Sequence, residues 1–347
     1  MEWQHAALAA AVLVALAVLA ARAVGRRRRL RAPAPPPLRA PARPRRPVAH
    51  VRRPPAAHGP VALRLRLRRG VIAAELWGED GELVLLVPGI AATGRSFAPM
   101  ASALADGWRA VAVDLAGRGR SPARPPGGGG WRAHAEDLLE VAEQLGAARA
   151  AIVGHSMGAY VALEAAALAP ERVAGVVLVD GGGLPEPRAV ARMVAALRRF
   201  GLTFPSPEAA VAVLRESGAV RPWHDAWADD LLDDLVSTRG GCRRGTSGRA
   251  VVEDAAHGAM QDPRALWPSL RAPGLLVRAT EPVDPLAGLV VGRGERDAML
   301  HSIPTLRALD VEATHLGVLT HPRTIAAVRA FLEQEVSAAA LAGARGG

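Results

Sequence analysis

Ser156 stands between two glycines in Gly154-His155-Ser156-Met157-Gly158, and a short β-branched run, Ile152-Val153, leads into it. Ala-rich sequence patterned like a helix follows over 159–169. A serine on a sharp turn between a buried strand and a helix has its hydroxyl exposed as a nucleophile. Side chains two residues to either side would collide in such a turn, so Gly154 and Gly158 belong to the nucleophile elbow. Chance alone gives on the order of 0.1 matches to G-x-S-x-G in a chain of this length. The pentapeptide therefore gains its weight from the strand before it and the helix after it.

A serine nucleophile needs a base for its proton, a carboxylate to orient that base, and two amide donors for the developing oxyanion. The first donor is expected at the N–H of Met157, directly after the nucleophile, and the second in the loop after the strand at 83–87. That loop begins Pro88-Gly89-Ile90, which makes the Ile90 N–H the second oxyanion-hole candidate. His315, four residues beyond Val311 and ahead of the final helix, is the expected base. His321 precedes Pro322 at that helix start and reads as structural; His155 sits inside the elbow without facing the nucleophile. The acid is expected after the strand at 274–278, where Ala279-Thr280-Glu281-Pro282-Val283-Asp284 offers two carboxylates. Asp284 is preferred because the loop brings it round to face the histidine, with Glu281 as the alternative acid. Asp180, at the end of the preceding strand, is a third option, though an Asp before three glycines is more simply a turn former. Ser156, Asp284 and His315 follow the chain order expected of such a site.

The elements that must hold these groups read as a mostly parallel α/β protein. Val61-Ala62-Leu63-Arg64-Leu65-Arg66-Leu67 alternates apolar and basic residues as a half-exposed strand does, and 71–77 is its expected partner. Apolar runs at 82–87, 109–114, 173–179, 274–278 and 305–311 are further strands, with helices expected around 99–104, 131–145, 159–169 and 324–336. Strands alternating with helices predict a sheet covered on both faces. Residues 181–265 break the rhythm with helical segments at 188–200, 207–217 and 223–236, a Gly/Arg loop at 240–248 and no convincing strand. The expected organisation is an N-terminal membrane anchor helix (1–25), a basic Pro/Arg-rich linker (26–60), a core in two parts (61–180 and 266–336), a helical cap (181–265) and a tail (337–347).

Charge is distributed unevenly. The net charge of +10 is concentrated in residues 22–60, which hold twelve arginines and no acid, so the remainder is close to neutral and a nucleic-acid-binding face is not expected. A single cysteine, Cys242, excludes a disulfide framework and a multi-cysteine metal site. Residues 6–21 are uninterrupted apolar sequence, and 3–24 would span roughly 33 Å as a helix. Positive charge follows this run at Arg26-Arg27-Arg28-Arg29, which predicts a single-pass cell-membrane protein with its folded part in the cytoplasm. Secretion after cleavage of a signal peptide is the alternative. The membrane is thus an expected partner, through the apolar helix and the basic arm.

The elbow, the Asp114-Leu115-Ala116-Gly117-Arg118-Gly119-Arg120-Ser121 segment and the Ala272-Pro273-Gly274-Leu275-Leu276 strand entry together resemble the α/β-hydrolase fold superfamily, in its cap-bearing serine hydrolase branch. The resemblance covers roughly 70–335 and implies an eight-stranded, mostly parallel sheet with helices on both faces and a helical cap insertion. In that family the D-x-x-G-x-G-x-S segment is structural, so Asp114 and Ser121 are not expected to be catalytic. Two positions depart from the pattern: Pro88 stands where the family has histidine, and Ala279 replaces the glycine of the usual G-x-x-D. The expected activity is serine hydrolysis of an ester or related acyl bond on a small, apolar acyl substrate, with no metal or cofactor. A membrane-tethered, non-catalytic binding protein that kept the fold is the alternative.

Overall fold

The computed structural model describes residues 59–197 and 201–337. Two antiparallel strands open it, β1 (Val61–Leu67) and β2 (Gly70–Trp77), whose register pairs Val61 with Leu76 and Leu67 with Gly70. Then come β3 (Glu82–Val87), α1 (Ala98–Leu104), β4 (Trp108–Val113), α2 (Trp131–Gln144), β5 (Ala150–His155), α3 (Met157–Leu168) and β6 (Val173–Val179). The segment after β6 carries α4 (Pro187–Leu197), α5 (Pro207–Glu216), α6 (Ala226–Asp234), β7 (Leu235–Thr238), β8 (Gly241–Arg244) and α7 (Gly248–Ala259). The chain re-enters the sheet at β9 (Gly274–Ala279) and continues through α8 (Arg293–Ser302), β10 (Leu306–Val311), the short α9 (Gly317–Thr320) and α10 (Pro322–Phe331).

Eight strands form one sheet in the order β1-β2-β4-β3-β5-β6-β9-β10, antiparallel at β1/β2 and β2/β4 and parallel thereafter. Its central strands are apolar at consecutive positions because both faces are covered. Leu83, Leu85 and Val87 of β3 pack with Leu138 and Val141 of α2 and Leu163 of α3 on one face. The intervening Val84 and Leu86 join Met100 and Leu104 of α1 with Val328 and Phe331 of α10 on the other. Alternate residues of one strand thus feed two cores, as the two-residue period of an extended chain requires. Truncating a fully buried leucine such as Leu85 to alanine would cost about 2–5 kcal/mol.

Strand order also fixes where a site can form. The chain leaves β3 towards β4 on one side, and the following β5 pairs with β3 on the other. A crevice opens at the carboxyl ends of the strands where the winding reverses in this way. Pro88-Gly89-Ile90 and Ser156 lie just beyond β3 and β5, at that reversal.

Two expectations change. The Gly/Arg loop at 240–248 is in part a β-hairpin: β7 and β8 pair antiparallel, and Cys242 also bridges to Phe204. Neither strand carries an apolar alternation, and the pairing is held by register around the Arg239-Gly240 turn, which a periodicity reading does not detect. The single-pass membrane placement is also corrected, since among the described residues no helix is long and apolar enough to cross a membrane. The 1–25 run, the linker up to residue 58 and residues 338–347 lie outside the described residues.

Candidate active site

Ser156 follows the last residue of β5 and precedes α3, with φ 53° and ψ −117°. Positive φ in a non-glycine residue is strained backbone, and here surrounding groups over-determine it. The Ser156 N–H donates to Val179 O at 3.0 Å, and a Cβ at Gly158 would overlap the Val87 carbonyl oxygen. Gly154 is required for the same reason, since its Cβ would overlap the Gly158 carbonyl. α3 follows at once and is buried at nearly every position, so the elbow is anchored between two core elements.

His315 lies between β10 and α9, and its Nε2 is 3.0 Å from Ser156 Oγ. Thr314 fixes the loop: it is fully buried, its Oγ1 accepts from Arg221 N at 2.8 Å and donates to Ala219 O at 2.8 Å. The fully buried His155 donates from Nε2 to the His315 carbonyl at 2.8 Å, and Trp227 of α6 packs edge-on against its ring. Burial, reinforced by the neighbouring His315, pushes the His155 pKa down to about 3, so it remains neutral and serves as a donor.

The carboxylate that meets His315 is Asp180. Its Oδ2 is 2.8 Å from His315 Nδ1, and its Oδ1 accepts the Ala279 N–H at 3.1 Å. A carboxylate can only accept, so the His315 proton resides on Nδ1 and the Nε2 lone pair faces the serine hydroxyl. Asp284, the expected acid, is instead 3.6 Å from Arg192 and caps the Leu286 N–H. The alternative Glu281 faces Arg221 at 3.8 Å. Sheet order explains the difference. Asp180 directly follows β6, which lies between β5, just before the serine, and the β9–β10 pair, just before the histidine, whereas Asp284 lies five residues past β9 in a partly exposed loop.

What looked like a turn former is a constrained acid. Asp180 adopts φ 45°, and its N–H donates to Val277 O at 2.7 Å. Gly181, directly after it, lets the chain pass close under the elbow, since a Cβ there would overlap Ser156 O, and residues 182–184 then receive three clamps. Tyr160 Oη donates to Gly183 O at 2.8 Å, Trp267 Nε1 donates to Gly182 O at 2.8 Å, and Glu295 Oε1 accepts the Leu184 N–H at 2.7 Å. Burial pushes the Tyr160 phenol up, so it remains a donor.

Of the expected oxyanion donors, Met157 is the first residue of α3, whose N–H has no intrahelical acceptor. The Ile90 N–H lies inside a turn that the Ala92 N–H closes on Gly89 O at 3.2 Å, and that bond leaves it uncommitted. Gly89 comes so close that a Cβ there would stand 3.3 Å from Ser156 Cβ. His321 caps α10 by accepting the Arg323 N–H at 3.1 Å, in the structural place its sequence position indicates. Among the described residues no group of three or more His, Cys, Asp or Glu has the geometry of a metal site.

Sheet and site together define an α/β protein with a serine, a histidine and a carboxylate in one hydrogen-bonded line at the carboxyl edge. The alpha/beta hydrolase fold family model matches residues 82–257, and the chain belongs to that family. It is 37% identical over 106 residues to a putative carbamate hydrolase, RutD, of Caulobacter vibrioides, a match covering 30% of this chain and 39% of that protein. A serine hydrolase-like protein of Danio rerio is 38% identical over 116 residues, covering 33% of this chain and 36% of the relative. The chain therefore matches under half the length of these curated relatives. Solved structures align over most of it. E-2-(acetamidomethylene)succinate hydrolase gives a TM-score of 0.70 at 25% identity, over 79% of this chain and 99% of that one. An alpha/beta hydrolase of Novosphingobium aromaticivorans gives 0.66 at 23% identity, over 80% and 99%.

Proposed function

We propose that the protein is a serine hydrolase acting on an ester or related acyl bond, with Ser156 as nucleophile, His315 as base and Asp180 as the orienting acid. The observation that carries this reading is the continuous line from Asp180 Oδ2 to His315 at 2.8 Å and from His315 to Ser156 Oγ at 3.0 Å. His315 Nε2 takes the hydroxyl proton as Oγ attacks the substrate carbonyl, and the Met157 and Ile90 amides stabilise the oxyanion. Collapse of the tetrahedral species expels the leaving group, which takes the proton from His315. Water, deprotonated by the same nitrogen, then releases the acid and restores Ser156. The segment 181–265 serves as the cap of this site, contributing Trp227 beside His155. Relatives whose names describe hydrolysis of a carbamate and of an acetamidomethylene succinate support acyl chemistry at this edge of the sheet.

The reading is tested with Ser156→Ala. The variant should lose turnover of short p-nitrophenyl esters and covalent labelling by a fluorophosphonate probe, while its circular dichroism matches the parent. Retained turnover in that variant overturns the mechanism.

A further inference from the structure

The guanidinium of Arg118 has no side-chain exposure at all, and a charge taken wholly out of water is costly unless every donor has a purpose. Its Nε and Nη2 both donate to one acceptor, the Ile90 carbonyl, each at 3.0 Å. Nη1 donates to Ala116 O at 2.8 Å, and Nη2 also lies 2.5 Å from Asp254 Oδ2. Asp254 belongs to α7, and its carboxylate is shared with the Gly130 N–H at 2.6 Å and His134 Nε2 at 3.0 Å. Burial alone would raise the Asp254 pKa, but its hydrogen bond and electrostatic interaction with His134, together with the Arg118 guanidinium, pull it well below the usual carboxylate range. An ionised, buried pair therefore joins a helix of the 181–265 segment to the backbone of the loop after β3.

The atom it grips has a particular place in that loop. Residues 89–92 form a turn closed by the Ala92 N–H, and the Ile90–Ala91 peptide is its central unit. Rotation of the central peptide is the soft motion of such a turn, separating its type I and type II forms. Two donors from one planar fork on the Ile90 oxygen block that rotation; the Ile90 N–H belongs to the adjoining Gly89–Ile90 peptide, so the grip fixes the donor through the position of residue 90 rather than by orienting its peptide directly. On the other side of the loop, Asp230 of α6 accepts from Thr93 N at 2.9 Å and Thr93 Oγ1 at 2.7 Å, so both ends are tied to the same segment.

We propose that Arg118, braced by Asp254, is a positioning residue that holds the oxyanion loop in the orientation the transition state requires. The proposal rests on the serine hydrolase reading, with Ile90 as an oxyanion donor. It follows that the segment between β6 and β9 sets the strength of transition-state binding without touching the reacting atoms. A lysine at position 118 keeps the charge against Asp254 but cannot grip the carbonyl with a planar fork.

The test uses Arg118→Lys and the double variant Arg118→Met with Asp254→Asn, in the full chain, with rates expressed per fluorophosphonate-titrated Ser156 so that unfolded protein does not count. With p-nitrophenyl butyrate, kcat should fall about 10- to 100-fold at near-constant KM, the size expected of a misplaced catalytic group. Affinity for a butyl trifluoromethyl ketone, whose hemiketal oxyanion occupies the same hole, should weaken by the same factor. If kcat and ketone affinity both stay within about twofold of the parent, or if kcat falls while ketone affinity holds, Arg118 is structural and the proposal is overturned. Should one variant not fold, the other decides alone; should neither give titratable Ser156, the proposal falls in favour of a folding role. A parent chain that neither turns over the ester nor labels at Ser156 would instead overturn the serine hydrolase reading.

Discussion

At the scale of single residues, the question is which carboxylate orients His315. Asp180 is 2.8 Å from its Nδ1, while Asp284 is engaged with Arg192. Asp180→Asn should therefore lower kcat for a short p-nitrophenyl ester by about 10³–10⁴-fold, because an amide no longer selects the tautomer that leaves Nε2 free. Asp284→Asn should stay within about twofold of the parent in the same assay. The reverse ranking would return the acid to the loop after β9. The strand-to-helix turn at Ser156 was legible in sequence because five consecutive residues specify its backbone, and the place of His315 because it follows the last strand closely. Asp180, third among the candidate acids, has the local sequence of a turn former, since the feature that distinguishes it is tertiary. The strand it follows lies between β5 and β9, a relation fixed by strand order, and Gly181 after it passes so close to the elbow that a Cβ would overlap Ser156 O. The clamps from Tyr160, Trp267 and Glu295 come from three separate elements, and no local pattern announces them.

At the scale of elements, the helices between β6 and β9 dock through buried carboxylates. Asp230 is wholly buried on α6, and its pKa is raised to about 6 by burial, against the opposing charge of Arg244 and the Thr93 hydrogen bonds. An unfolded aspartate titrates near 3.9, so between about pH 4 and pH 6 the native state binds more protons than the unfolded one. Stability from this group is therefore complete below pH 4 and is lost as pH rises to 6. Asparagine at 230 cannot titrate. Urea unfolding of parent and Asp230→Asn across pH 4–7 should show the parent losing on the order of 3 kcal/mol relative to the variant over this window. Parallel pH profiles would mean that Asp230 is not a desolvated carboxylate. Element identity was largely legible: central strands such as Val173–Val179 are apolar throughout because both faces are covered. The β7–β8 pair was not, because four-residue strands with Ser, Thr and Arg carry no period to read.

At the scale of the whole molecule, the chain divides by charge where its described fold begins. Residues ahead of β1 carry the excess arginines, and the part from Gly59 onward is close to neutral, with its acidic and basic side chains largely paired with each other across the core surface. The first strand, Val61–Leu67, is an edge strand paired to β2 alone, and its burial rises only towards Leu67. A chain starting at Gly59 should therefore fold and hydrolyse a short p-nitrophenyl ester with kcat/KM within about twofold of the full chain. It should also lose retention on a cation exchanger near neutral pH, since its net charge changes from +10 to about −1. A large fall in kcat/KM at unchanged titratable Ser156 would instead show that the arginine-rich segment acts on the site, and would make its charge part of the enzyme rather than an appendage to it.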